Sequence, residues 1–406
     1  MWRTRIVSVA FLPNFGLTYR IRFVILVNWL LFVQTRCWLN RLWVMVKDRA
    51  PASYRDDATM NDPGQCHDWR RIFSGMPAFQ KPLTAPQQFV AQNGWSGSKF
   101  WRWNAPQGKI LVKVWPVDGP THDEHLERHK KLKFLSAFQP DLALPIADQN
   151  GNTIRPWFGD LWAELFPWLE GTPILIEPSE PVIRQSFQAL ARLHMEWKAH
   201  SPTVQGPSPA VANRLNQLRK LKLANLLEPD SRIWYLSGQA KPMIGDQLRE
   251  ICKLAKALTD DAIRRLEPFE NQTFTQQTVL RDARPDHFLM VGETLSGIID
   301  FGAIGTDSIA VDIARLTSDW FPGDQTRIES ALTYYSLVSY ITPQELDLIP
   351  PLALAGAILG GLAWVDLHFR KRRTSGRDND FQHALSHAYN RLKLHVSEHP
   401  ISLVGL

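Results

Sequence analysis

Two parts of this sequence follow different periodicities, and that division constrains the fold more than any other feature. Between Leu83, where order is expected to begin, and Phe166, apolar residues come in short runs rich in aromatic and β-branched side chains. Phe89 to Asn93, Lys99 to Trp103 and Lys109 to Trp115 read as strands of an antiparallel meander, the latter two joined by a Pro106-Gln107-Gly108 turn. A helix from about Asp123 to Phe138 and a strand from Leu161 to Phe166 complete this part. From Glu180 onward the spacing is mostly helical, over Pro181 to Ala199, Ala210 to Leu227 and Ile244 to Leu266, with strands returning around Thr278 to Ile299. Strands first and helices later predict an α+β protein with segregated lobes, not alternating βαβ units. The Pro- and Gly-punctuated segment from Phe166 to Gly171 reads as a hinge, which puts a small lobe at 83–168 and a larger, mainly helical lobe at 169–406.

A chain of 406 residues has room for such a two-lobed unit. The net charge of +6 suggests a nucleic-acid partner until it is located. Residues 1–59 carry nine Lys or Arg against three Asp or Glu, and the rest is balanced, so the charge gives little support to nucleic-acid binding, which would need a basic face on the fold itself. That extension, Trp- and Arg-rich and without helical periodicity or caps, is expected to lie outside the fold. Three readings fit it: a segment weakly associated with a membrane surface, a folding accessory, or upstream sequence before a true start at Met45, Met60 or Met76, which is preferred. Leu348 to Val365 carries no charge, but Pro350 and Pro351 are expected to shorten its helix, which reads as a buried element and not as a membrane span. Cys37, Cys66 and Cys252 show no pairing or zinc spacing and read as free thiols of a cytoplasmic protein.

Chemistry concentrates in Leu280-Arg281-Asp282-Ala283-Arg284-Pro285-Asp286-His287 and in Ile298-Ile299-Asp300-Phe301-Gly302. Phe288 to Val291 and Leu295 to Ile299 read as a hairpin around Gly292-Glu293-Thr294, which puts His287 and Asp300 together at its open end. Asp282 lies one loop turn earlier. A carboxylate to take a hydroxyl proton, beside ligands for a divalent metal, is what phosphoryl transfer requires, and Arg284 adds positive charge for the transferring group.

These segments resemble the catalytic loop and Asp-Phe-Gly motif of protein kinases. The short interval between them and the later Val311-Asp312-Ile313-Ala314 resemble more closely the aminoglycoside phosphotransferase and choline kinase family. The resemblance implies a bilobal protein-kinase-like fold, ATP and Mg²⁺ as cofactors, Asp282 as catalytic base, Asp300 and His287 as metal ligands, and Asp312 as a brace for the catalytic loop. It also implies that Asn93-Gly94-Trp95-Ser96-Gly97-Ser98 is a phosphate loop using Gly94, Ser96, Gly97 and Ser98. Leu111 would roof the adenine and Lys113 reach the phosphates. Glu124 and Glu127 are the two candidates to hold Lys113, and Leu190-Ala191-Arg192-Leu193-His194 reads as scaffold.

Two departures stand out: Leu280 replaces the loop histidine, and His287 stands where the family has asparagine. Because Mg²⁺ prefers oxygen, an imidazole ligand would favour Mn²⁺. The expected function is ATP-dependent phosphorylation of a small-molecule hydroxyl; the alternative is a nucleotide-binding pseudokinase acting through protein contacts.

Overall fold

The computed structural model describes residues 69, 72–77, 80–89, 95–138, 140–157, 161–223, 242–369, 371, 374 and 377–398. The expectations for 1–59, and for Asn93 and Gly94, lie outside the described residues. The described residues fall within one compact unit.

Its first sheet has five antiparallel strands in the order β1-β2-β3-β6-β5. They are β1 (Gln87–Phe89), β2 (Lys99–Ala105), β3 (Gly108–Val114), β5 (Ile154–Pro156) and β6 (Trp162–Pro167). Strands β2 and β3 pair from Lys99 opposite Val114 to Ala105 opposite Gly108, whose φ of +131° is one glycine adopts without strain. The first strand ends at Phe89, where the apolar pattern had placed its beginning. Alternation along β3 sends Ile110, Val112 and Val114 into a core with Trp103, Ala105, Ala163 and Leu165, and puts Leu111 and Lys113 on the opposite face.

That core corrects the expectation that order begins near Leu83. Ile72 and Met76 are buried in it and Trp69 and Phe73 pack against it, the Trp69 ring meeting Trp101, Trp103 and Trp157 edge-on. Edge-to-face aromatic pairs add to what burial of their area supplies. The Trp103 indole, buried here, donates to the Gln80 carbonyl at 3.1 Å.

Helix α1 (His122–Leu132) starts at a capping box between Thr121 and Glu124. After β4 (Asp141–Leu142) and β7 (Thr172–Pro173), the larger part is built on α2 (Glu180–His200), α3 (Pro209–Leu223), α4 (Pro242–Leu266), α5 (Ala310–Trp320), α6 (Gln325–Ser336), α7 (Pro343–Phe369) and α8 (Asp378–Glu398). Two small sheets lie among these helices. One runs β4-β11-β10-β7 with β10 (Phe288–Val291) and β11 (Thr294–Ile298); the other runs β12-β9-β8 with β8 (Val204–Pro207), β9 (Thr273–Val279) and β12 (Gly305–Asp307). The expected hairpin is therefore present, closed by Gly292-Glu293 with Gly292 at φ +60°.

Pro350 and Pro351 do not shorten α7. It starts upstream, where Thr342 and Glu345 cap each other, and runs through both prolines at the cost of two backbone donors. By length and composition α7 could cross a membrane, but over half of its apolar stretch is buried in the protein, against α3, α4, α5 and α8. Near the hinge, Gly171 lies against β10 and β11: a Cβ there would stand 2.5 Å from Ser296 Oγ and 3.0 Å from the Met290 carbonyl.

Candidate active site

Strand β9 delivers Leu280, Arg281 and Asp282 to a loop held from below by α5. Asp312, in the first turn of α5 and fully buried, accepts the backbone N–H groups of Leu280 and Arg281 at 2.6 Å each. This matches the bracing role implied for it. The bonds hold Arg281 in the left-handed region at φ +64°, a conformation that costs a non-glycine residue energy and recurs at functional sites. Leu280 is buried, so in place of the family's histidine it supplies packing.

His194 in α2, read from sequence as scaffold, extends this support. Its Nε2 lies 3.0 Å from Asp312 Oδ2 and its Nδ1 2.7 Å from the Tyr335 hydroxyl. A histidine on an apolar helix face was the available signal, but its partners lie 118 and 141 residues away.

Asp282 sits between two guanidinium groups, with Arg284 Nε 3.4 Å from Oδ2 and Arg315 Nε 3.5 Å from Oδ1. Burial would raise its carboxyl pKa, but Arg284, then Arg315, outweigh that and leave it below the ordinary value. Its side chain keeps about a third of its surface exposed (38%), enough to meet a ligand. Arg315 was missed by the motif reading, although it lies three positions after Asp312 on the same helix; it also pairs with Asp319 at 3.1 Å.

The hairpin brings His287 and Asp300 together as expected, the Ile299 N–H donating to the His287 carbonyl at 2.9 Å. Asp300 has φ +57°, and Lys113 Nζ donates to its Oδ1 at 3.0 Å, joining β3 to the loop after β11. Burial raises the Asp300 pKa, yet the charge of Lys113 foremost, with the hydrogen bond from its Nζ, holds it well below the ordinary carboxylate range. Its bonds to Lys113 and to the Gly302 N–H both fall on Oδ1, so Oδ2 is the oxygen left for a cation.

His287 departs from the expectation of a metal ligand. Its ring is buried, Nδ1 donates to the Asp282 carbonyl at 2.9 Å, and Nε2 stands 3.0 Å from Arg284 Nη2. Both ring nitrogens are thus committed to the catalytic loop, and a cation would have to displace Arg284 to reach Nε2. Arg284 itself pairs with Asp286 at 3.3 Å as well as with Asp282.

Of the expected nucleotide residues, Leu111 and Lys113 share one face of β3. Lys113 lies over the Trp115 ring at 4.0 Å. In the loop before β2, Gly97 has φ +79° and Ser96 Oγ accepts the Ser98 N–H at 3.3 Å, a tight turn with small side chains. Trp95 points away to the helical part, edge-on to Trp364 with Arg377 over its ring at 4.0 Å. Neither candidate acid reaches Lys113. Glu124 is used in the cap of α1, and Glu127 is exposed and hydrogen-bonds Lys130 at 2.5 Å. The helix turns His125 and His129 inward instead, because residues four apart share a face.

The bracing Asp312, the arginine-flanked Asp282 and the Lys113–Asp300 pair together make up the candidate site. The structure aligns with an amicoumacin kinase solved with AMP-PNP, Ca²⁺ and Ami (TM-score 0.54, 13% identity, 80% of this chain and 92% of that one). It aligns equally with a microcompartment-associated aminopropanol kinase (TM-score 0.54, 14% identity, 83% and 99%). Spectinomycin phosphotransferase with ADP and spectinomycin gives a TM-score of 0.51 at 10% identity over 81% and 98%. At such identities the likeness establishes the fold: helices with antiparallel sheets in the protein-kinase-like arrangement of these enzymes. In sequence, homoserine kinase of Rhodospirillum rubrum is 26% identical over 235 residues, 56% of this chain and 64% of that protein. Homoserine kinase of Beijerinckia indica is 37% identical over 98 residues, 23% of this chain and 30% of that protein. The chain thus spans less than two thirds of the length of these curated relatives. The profile of the phosphotransferase enzyme family, however, matches residues 90–349, which include β2, β3, both catalytic motifs and Asp312, and it is to this family that the chain belongs.

Proposed function

We propose that the protein transfers the γ-phosphoryl group of ATP to a hydroxyl of a small molecule. The observation that carries this reading is Asp282: an ionised, partly exposed carboxylate on a braced loop, beside Arg284 and near the Lys113–Asp300 pair. Asp282 orients the acceptor hydroxyl and takes its proton, and Arg284 stabilises charge on the transferring group. Lys113 and the Ser96-Gly97-Ser98 turn bind phosphate oxygens, and Leu111 covers the base. Asp300 would hold the divalent metal, and Mg²⁺, or Mn²⁺ in its place, would neutralise phosphate charge. The acceptor is proposed to be a small hydroxylated metabolite, and homoserine and aminopropanol head the candidates because enzymes similar to this one are named for them.

The test is a coupled assay of ATP consumption against a hydroxyl-metabolite panel, followed by Asp282→Asn. Turnover should fall by about 10²-fold or more, the usual contribution of a positioned base, with nucleotide affinity retained. Equal turnover in variant and wild type would remove the assignment.

One observation favours the pseudokinase alternative: His287, in the place of the family's metal-binding asparagine, is tied to Asp282 and Arg284. Thermal stabilisation by ATP with Mg²⁺ or Mn²⁺, without consumption on any acceptor, would select it.

A further inference from the structure

Three side chains that phosphoryl transfer leaves unused converge beside Lys113. α1 turns His125 and His129 towards β6, where Glu164 is the cross-strand neighbour of Lys113. His125 Nδ1 lies 3.0 Å and His129 Nε2 2.6 Å from the same oxygen, Glu164 Oε1. All three ligand atoms fall within 4.8 Å of one another.

The surroundings resemble a support shell. Thr153 Oγ1 lies 2.6 Å from the other nitrogen of His129, Nδ1, and the Trp115 indole donates to Glu164 Oε2. The side chains of His125, His129 and Glu164 are 1%, 9% and 5% exposed. Burial alone would raise the Glu164 pKa, but its hydrogen bonds with His125 and His129 hold it below the ordinary range in the metal-free protein. Among the described residues, His125 Nε2 is buried with no hydrogen-bond partner.

Two histidines one helical turn apart with a facing carboxylate form a donor set suited to Zn²⁺, which takes imidazole nitrogen and carboxylate oxygen tetrahedrally. Mg²⁺, which prefers an all-oxygen shell, suits it poorly. A partner fixing the ring's other nitrogen is the usual way a metal-binding histidine is oriented, and Thr153 meets that requirement for His129.

We propose that His125, His129 and Glu164 bind a divalent transition metal, Zn²⁺ by donor type, which ties α1 to the sheet that carries Lys113. A water takes the remaining tetrahedral position. The metal fulfils the task that Glu127 does not, coupling this helix to the phosphate-binding strand. The site is separate from the nucleotide's metal at Asp300 and does not depend on the proposed kinase reaction.

Metal-stripped full chain, without nucleotide, is titrated with Co²⁺ and then Zn²⁺. The expected result is one equivalent of Co²⁺ with the visible absorption of a tetrahedral nitrogen–oxygen site, displaced by Zn²⁺ and not by excess Mg²⁺, and a higher Tm with Zn²⁺. X-ray absorption of the Zn²⁺-loaded wild type should show two imidazoles. His129→Gln and Glu164→Gln should each weaken Zn²⁺ binding about 10-fold or more. A wild type with no cobalt band and no Zn²⁺-dependent Tm shift would reduce the cluster to a hydrogen-bonded His–Glu–His network and overturn the proposal. So would a Zn²⁺ shell lacking imidazole, or unchanged affinity in a folded variant; the wild-type measurements decide the matter even if a variant does not fold.

Discussion

Asp312 Oδ1 accepts the backbone N–H of Arg281 at 2.6 Å, and the same carboxylate takes the N–H of Leu280, so one side chain fixes the two residues before Asp282. Asp312→Asn keeps the shape but places an amide NH₂ against a backbone N–H. A hydrogen bond to a charged group contributes about 1.5–3 kcal/mol, and stability should fall by that order in a urea melt. Turnover should fall as well, with the Michaelis constant for ATP little changed, because the loop and not the nucleotide face is released. Unchanged stability would mean that the brace is dispensable.

Acid should destabilise the protein through its carboxylates. Asp282, Asp300 and Glu164 all have folded-state pKa values below their ordinary ones. A depressed carboxylate contributes stability that is fully present above its unfolded pKa, about 4 for Asp and Glu, and is lost as pH falls through the folded value. Tm should therefore be flat with respect to these groups from neutrality to about pH 5 and decline below about pH 4. Lys113→Met removes the foremost charge depressing Asp300, so the share of the acid decline that comes from Asp300 should shrink in that variant. A superimposable Tm–pH curve would show that the pair does not hold Asp300 ionised.

The N-terminal boundary of the fold can be set by truncation. A chain beginning at Met60 retains Trp69, Ile72, Phe73 and Met76 and should fold and bind ATP as the full chain does. One beginning at Leu83 lacks all four and strips one side of the core around Trp103. Ile72→Ala alone should cost about 2–5 kcal/mol, the range for removing a buried isoleucine. Equal melting of chains starting at Met60 and at Leu83 would show that this packing contributes little.

What could be read beforehand was local. The hairpin from Phe288 to Ile298 and its turn follow from alternation and a glycine a few residues apart, and the loop from Leu280 to His287 is contiguous. The face of α1 was not legible, because Glu124 and Glu127 fit a helical surface as well as His125 and His129 do, and only the position of Glu164 on a strand 35 to 39 residues later decides which side turns inward. The same holds for Trp69 to Met76, whose apolar residues precede any periodic element and gain meaning only from the sheet they cover. Pro350 and Pro351 argued for a short helix by local rule. Burial against four other helices outweighed the two lost donors.

His287 gives the sharpest separation between a metal ligand and a brace. As a brace, its Nδ1–H holds the Asp282 carbonyl and its Nε2 holds Arg284, whose guanidinium lies beside the Asp282 carboxylate. His287→Asn shortens the side chain, so it cannot keep both links. Stability should drop by about 1–3 kcal/mol, the range for leaving buried partners unsatisfied. Turnover should fall because Arg284 and Asp282 lose their alignment, while the ratio of Mn²⁺- to Mg²⁺-supported activity stays where it was. A metal ligand would behave otherwise: replacing nitrogen by the amide oxygen would move that ratio towards Mg²⁺ and leave stability nearly intact. Arg284→Lys supplies the companion measurement, since it frees Nε2 while keeping the charge. If His287 then becomes available to a cation, this variant should gain Mn²⁺ affinity that is lost again in the double variant with His287→Asn. A shifted metal ratio in His287→Asn itself, with a stable fold, would refute the brace and return His287 to the metal.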